Sequence, residues 1–221
     1  MRKRLTYYSI VLNFCLCSAT LAQIRFEPGY FIANDGLRTD CQIRNVDWKN
    51  NPLAFKFMRP GSDAIESGTI ASIKEFGILE GPVYRRFEVM IDKSTEELDA
   101  LSSSRNPEFV LDTLFLKVLV QGKARLYQYE RKLLRFFYSV DQDTAQQLVY
   151  KMYQMPDGKV ARNETYKQQV VSYLKCECLS ENNGPFILVN RQNKLRFNTN
   201  PLRHFLSEIL IEGVERTCKL K

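Results

Sequence analysis

Two cysteines stand two apart in Y-L-K-C-E-C-L-S, Tyr173 to Ser180, and no other stretch of the 221-residue chain carries more chemistry per residue. Cysteine pairs bind metals, exchange disulfides or staple folds. Of the six cysteines, Cys15 and Cys17 lie within the first 22 residues, which leaves Cys41, Cys176, Cys178 and Cys218. Cys176 and Cys178 are too close to bridge each other without strain. Cys218 is then the natural partner of one of them, and Cys178 is favoured because it continues an apolar helical stripe. A Cys178–Cys218 bond would close a loop of about 40 residues, worth roughly 3–4 kcal/mol on the loop-entropy account. The competing set is Cys176, Cys178, Cys218 and His204, a Cys3His arrangement for zinc. C-x-C is a less usual spacing than C-x2-C in such sites, and His204, the only histidine, falls on the polar side of its segment. No metal or other cofactor is therefore expected. Cys41 alternates inward on a strand and reads as a buried thiol.

Other catalytic patterns are missing. There is no G-x-S-x-G, no H-E-x-x-H and no phosphate-binding glycine loop. Glu96 and Glu97 sit in a polar stretch where solvation is the default. Tyr127, Tyr129 and Phe137 are candidate ligand-facing aromatics of a sugar or lipid pocket. At strand spacing such residues more often form core and cross-strand pairs.

The cysteine reading depends on compartment, which the N-terminus addresses. Arg2, Lys3 and Arg4 precede an apolar run from Leu5 to Leu16, and small residues lead to Thr20-Leu21-Ala22 before Gln23. This is the layout of a secretory signal peptide, residues 1–22, cut between Ala22 and Gln23. The run is short for a bilayer span. Without Arg2, Lys3 and Arg4 the net charge falls from +7 to +4. An exported, mildly basic chain is not expected to meet nucleic acid, and clusters such as Tyr84-Arg85-Arg86 read as solvated faces. Disulfides are expected in that compartment.

The elements that must position these residues read as α+β, a single domain over 23–221. A mainly antiparallel β meander runs from about 28 to 155 and is followed by two C-terminal amphipathic helices, about 164–177 and 201–212. The pair Asp35-Gly36 marks a hairpin between Gly29–Ile32 and Thr39–Arg44. Further strands are expected at 53–58, 75–79, 83–91, 109–120, 124–129 and 133–140, with Phe109 to Val120 central and covered on most of both faces. Residues 59–68 read as a polar loop, and Thr69 to Ile73 as one helical turn. Residues 92–107 read as the most mobile part, with capping-box spacing at Ser94 and Glu97. Gln146 to Tyr153 is ambiguous and leans to a strand. Asn163 is a good N-cap, with Tyr166, Val170 and Leu174 on one helical face. Asn200 and Pro201 open the second helix, whose stripe is Leu202, Phe205, Leu206, Ile209 and Leu210.

The order of segments is familiar: G-Y-F-I with D-G, then W-K-N-N-P-L-A-F-K-F, T-I-A-S-I-K-E-F-G-I, F-L-K-V-L-V-Q-G-K-A-R-L-Y-Q-Y, Q-L-V-Y-K-M-Y and N-E-T-Y-K-Q-Q-V. The chain resembles a family of exported Bacteroidota envelope proteins whose longer members carry a C-terminal outer-membrane β-barrel. The resemblance covers nearly all of the chain after residue 22. It implies a place in the periplasm or at the outer membrane or cell surface, with peripheral membrane association at most. It implies no catalytic residue. The expected function is that of a non-enzymatic envelope module binding a protein or glycan. A soluble lipid- or sugar-binding protein is the second reading, and a hydrolase the third.

Overall fold

The computed structural model describes residues 25–122, 124–140 and 144–173. Twelve strands and one helix fill them. Ten strands form one antiparallel sheet: β1 (Arg25–Ala33), β2 (Arg38–Asn45), β3 (Ala54–Met58), β4 (Ile65–Thr69), β5 (Ile73–Ile78), β6 (Val83–Asp92), β7 (Phe109–Val120), β8 (Ala124–Glu130), β9 (Leu134–Val140) and β10 (Gln146–Leu148). A separate ribbon pairs β11 (Lys151–Gln154) with β12 (Val160–Asn163), and α1 (Thr165–Tyr173) follows.

The expected antiparallel β domain is present, with two corrections to its layout. Among the described residues there is one helix of nine residues, not two amphipathic ones; the segment 201–212 lies outside them. The sheet is also not a plain meander, because its order is β10-β9-β8-β7-β6-β5-β1-β2-β3-β4. β5 returns to the far side of β1 through a connection of only Ile70, Ala71 and Ser72. That connection forces curvature. In a flat sheet β4 and β5 would lie four strand spacings apart, about 19 Å. Four residue steps, from Thr69 to Ile73, reach at most about 14 Å. The strands must therefore wrap, and the wrapped corner is pinned to the β1–β2 turn by Asn34, whose amide N–H donates to Ser72 O (3.1 Å) and whose Nδ2 donates to Ala71 O (2.7 Å). The turn itself needs Gly36, which holds φ 87°.

Register places the cores on opposite faces. Arg86 stands across from Phe115 and Phe87 across from Leu114, and neighbours along a strand point opposite ways. One face therefore carries Phe31, Cys41, Ile43, Phe55, Phe57, Phe76, Tyr84 and Phe115, wrapped by β1–β5. Phe55 stacks on Phe76 at 4.0 Å, and Phe76 on Tyr84 at 5.1 Å. Gly68 on β4 lets the Phe55 ring lie against the backbone; a Cβ there would meet that ring at 2.5 Å. The other face carries Phe87, Val89, Ile91, Leu114, Leu116, Val118, Tyr127, Tyr129 and Phe137. A third cluster, Val120, Leu126, Phe136, Tyr138, Leu148 and Tyr150, returns to the first face and is roofed by Tyr166 and Val170 of α1. Asn163 accepts from the Thr165 N–H at 3.1 Å, the capping role expected of it. Large apolar side chains buried in this way contribute about 1.5–3 kcal/mol each before entropy is subtracted.

Candidate functional site

The sequence-predicted site residues fall into two groups. Ala22, Gln23, Cys176, Cys178, His204 and Cys218 lie outside the described residues. Tyr127, Tyr129 and Phe137 are all buried in the second core cluster. Phe87 meets Tyr127 edge-on at 4.8 Å, and the Tyr127 hydroxyl lies 3.3 Å from Ser139 Oγ. These rings pack on neighbouring strands, as cross-strand pairs do.

The basic pair on β6 is not simply solvated. Arg85 Nε donates to Glu75 Oε2 (2.6 Å), and the Tyr30 hydroxyl donates to Glu75 Oε1 (2.7 Å). Burial, reinforced by the Glu75 carboxylate, pushes the Tyr30 hydroxyl well above the ordinary tyrosine range. The Arg38 guanidinium lies 3.9 Å over the Tyr30 ring. Arg86 Nη1 donates to Ile70 O (2.9 Å), fastening the β4–β5 corner. Each of these charges is committed to a neighbour within the fold.

Two polar constellations escape sequence reading altogether. The first lies under residues 93–108, which contain no helix. Arg135 is buried on β9; its Nε donates to Asp92 O (3.2 Å), its Nη2 donates to Ser94 O (3.0 Å), and its Nη1 pairs with the Glu96 carboxylate. Asp92 is fully buried, its Oδ2 3.8 Å from Arg135 Nη2, and its Oδ1 accepts from the N–H of Ser94 and of Glu108. The side chain of Lys151 is fully buried too, its Nζ donating to Asn106 O (2.7 Å) and to Glu108 Oε1 (3.1 Å). Asn163 Nδ2 donates to Arg105 O (3.0 Å). The stretch expected to be most mobile is thus strapped at both ends by buried charges. Asp92 and Glu96 share the Arg135 guanidinium, and backbone amides donate to Asp92 Oδ1, while Asp92 Oδ2 is buried with no hydrogen-bond partner among the described residues. Glu96 is correspondingly a half-buried, ion-paired side chain, more constrained than a freely solvated one.

The second constellation is built on Asn51, in the β2–β3 connection and 79 residues from its farthest partner. Its Nδ2 donates to Phe115 O (2.7 Å) and Gln128 O (3.0 Å), and its Oδ1 accepts from Glu130 N–H (2.9 Å). Its own N–H donates to Glu130 O (2.7 Å). Asn51 therefore fills the place where β7 and β8 part. Their pairing runs only from Lys117 to Val120 on β7.

That parting exposes an edge. From Phe109 to Leu114, β7 pairs with β6 on one side, and among the described residues no strand pairs with it on the other. The ladder sets which groups face the open side. Lys93 N–H donates to Glu108 O (3.1 Å), so alternate residues from Glu108 onward, including Val110, Asp112 and Leu114, turn their N–H and C=O toward β6. Phe109, Leu111 and Thr113 turn theirs outward, as does Phe115, whose carbonyl meets Asn51. The side chains at this edge are apolar and open: Phe109 is 40% exposed, Val110 50% and Leu111 57%, with Met90, at 49%, directly across from Leu111 on β6. Only from Leu114 onward does β7 carry buried side chains, although cover is expected on most of both faces of Phe109 to Val120.

Compared with models of protein families, with curated proteins and with solved structures, the chain matches none of them.

Proposed function

We propose that the protein is an exported, non-enzymatic module of the cell envelope that binds a protein partner by adding a strand to the Phe109–Thr113 edge of β7. The observation that carries this reading is the conjunction, on one short strand segment, of outward-turned backbone groups and exposed apolar side chains. Unpaired apolar edges are templates for further strands, and folded proteins ordinarily blunt them. Strand addition draws affinity from main-chain hydrogen bonds and specificity from alternate side chains. The signal-peptide layout and the resemblance to envelope proteins supply the location. That Glu96, Glu75 and Lys151 are each taken up by partners within the fold supports binding over catalysis.

A photo-reactive amino acid placed at Leu111 in the native envelope tests the reading. Leu37, 64% exposed at the β1–β2 turn, is the control position. The expected result is a discrete protein adduct from position 111 and none from position 37. Equal labelling at both positions, or no protein adduct from 111, contradicts it. N-terminal sequencing of the envelope-borne chain is expected to begin at Gln23.

A further inference from the structure

We propose that the strand added to β7 is β7 of a second copy of this chain, paired antiparallel about a two-fold axis at Leu111; this rests on the strand-addition reading. The edge is self-complementary in a way that singles out one register. Only pairings that bring outward-turned residues opposite one another form hydrogen-bonded pairs. With Leu111 opposite Leu111 of the second copy, Phe109 falls opposite Thr113 and Thr113 opposite Phe109. All three outward residues of each strand are then matched. The side chains that meet across the axis are the exposed Leu111 pair, flanked by Phe109 and backed by Met90. On the reverse face Val110 falls opposite Asp112, whose carboxylate already takes a hydrogen bond from Lys93 Nζ at 2.7 Å. No like charges stand opposite each other.

The neighbouring registers fail on named residues. Centring on Val110 sets Glu108 against Asp112, two carboxylates in direct opposition. It also sets Pro107, which has no N–H to donate, against Thr113. Centring on Asp112 sets Phe109 against Phe115, whose carbonyl is already taken by Asn51. In the Leu111 register the ladder ends where the fold ends it, at Asn51 on one side and Pro107 on the other. A symmetric contact using one patch twice is also the commonest form of assembly.

Two measurements on the full chain after residue 22 decide this. In the first, Leu111→Cys and Thr113→Cys variants are oxidised mildly beside the unsubstituted chain. Opposed residues of a hydrogen-bonded pair lie about 5.5 Å apart, inside the disulfide window. Thr113 of one copy lies more than about 13 Å from Thr113 of the other. The expected result is a covalent dimer from Leu111→Cys, its disulfide mapped to position 111 of both copies, and none through position 113. In the second, sedimentation is compared for the unsubstituted chain and Thr113→Pro. The Thr113 N–H points outward, so proline there leaves the β6 ladder intact and removes a donor from each copy. The dimer dissociation constant is expected to rise at least about tenfold, with the melting curve of the dilute protein unchanged.

Cross-linking through 113 as readily as through 111, or a dimer indifferent to Thr113→Pro, overturns the proposal. So does a chain that stays monomeric throughout, including one whose Leu111 and Thr113 amides are protected as a monomer, which would assign the edge to a segment of the same chain. If the chain is monomeric while position 111 captures a different envelope protein, only the choice of occupant falls and strand addition stands. If position 111 captures nothing, both fall.

Discussion

Asn51 shows how much one side chain holds. Replacing it with alanine strands the carbonyls of Phe115 and Gln128 and the amide of Glu130 in a buried position. Unsatisfied buried groups cost about 1–3 kcal/mol each, partly recovered where solvent enters. Asn51→Ala is therefore expected to lower the unfolding free energy by roughly 2–4 kcal/mol in urea titration. Arg135→Ala leaves the Asp92 carboxylate buried without its cation and should cost about 3–5 kcal/mol. Cys41 makes a pH-dependent prediction. Burial, helped by Asp40, pushes its thiol from 9.0 up to about 11. The unfolded chain ionises this thiol first, so between those values it binds fewer protons than the native state. The stabilisation is fully present below pH 9 and is lost as pH rises through about 11. The melting temperature of the unsubstituted protein should fall more steeply over that window than that of Cys41→Ala, because only the former carries the thiol. Parallel slopes would contradict the assignment. Tyr30 and Tyr84, raised by burial, add the same sign of effect in both proteins.

Elements were legible where local pattern and tertiary environment agree. Asp35-Gly36 announced the first hairpin, and alternation put Cys41 and Ile43 on its inner face, where they lie. Gln146 to Tyr153 leaned to strand, and β10 and β11 occupy most of it, parted at Val149 and Tyr150. Residues 65–68 read as loop because Glu66, Ser67 and Gly68 carry little strand signal, and Thr69 to Ile73 as a helical turn; pairing with β3, and the space Gly68 gives to Phe55, make 65–69 the strand β4, and β5 begins at Ile73. Phe109 to Val120 misled in the opposite way. A continuous apolar run normally means burial on both faces, yet here its first residues run past the end of the β8–β9 hairpin. The straps under 93–108 were unreadable because their partners lie about 40 or more residues away in sequence. Lys151→Met removes the Nζ bonds to Asn106 and Glu108 while keeping the apolar stem. Limited proteolysis should then cut within 99–106 markedly faster than in the unsubstituted chain, with β1–β5 as resistant as before; unchanged cutting would show that Lys151 does not hold the strap.

For the whole molecule, curling the sheet solves one edge and leaves another. Wrapping β1–β5 and roofing β8–β10 with α1 bury three apolar clusters. The β6–β7 ribbon outruns β8, and among the described residues its end keeps backbone groups unpaired and apolar side chains exposed. Both the proposed partner binding and its two-fold form depend on that geometry. Residue-resolved amide exchange in dilute, monomeric protein tests it most directly. The amides of Leu111 and Thr113, turned to the open side, should exchange at close to solvent-exposed rates, while those of Val110 and Asp112, bonded to β6, exchange at least about tenfold more slowly. Equal protection of all four amides would show that the β7 edge is already paired, and would contradict the account.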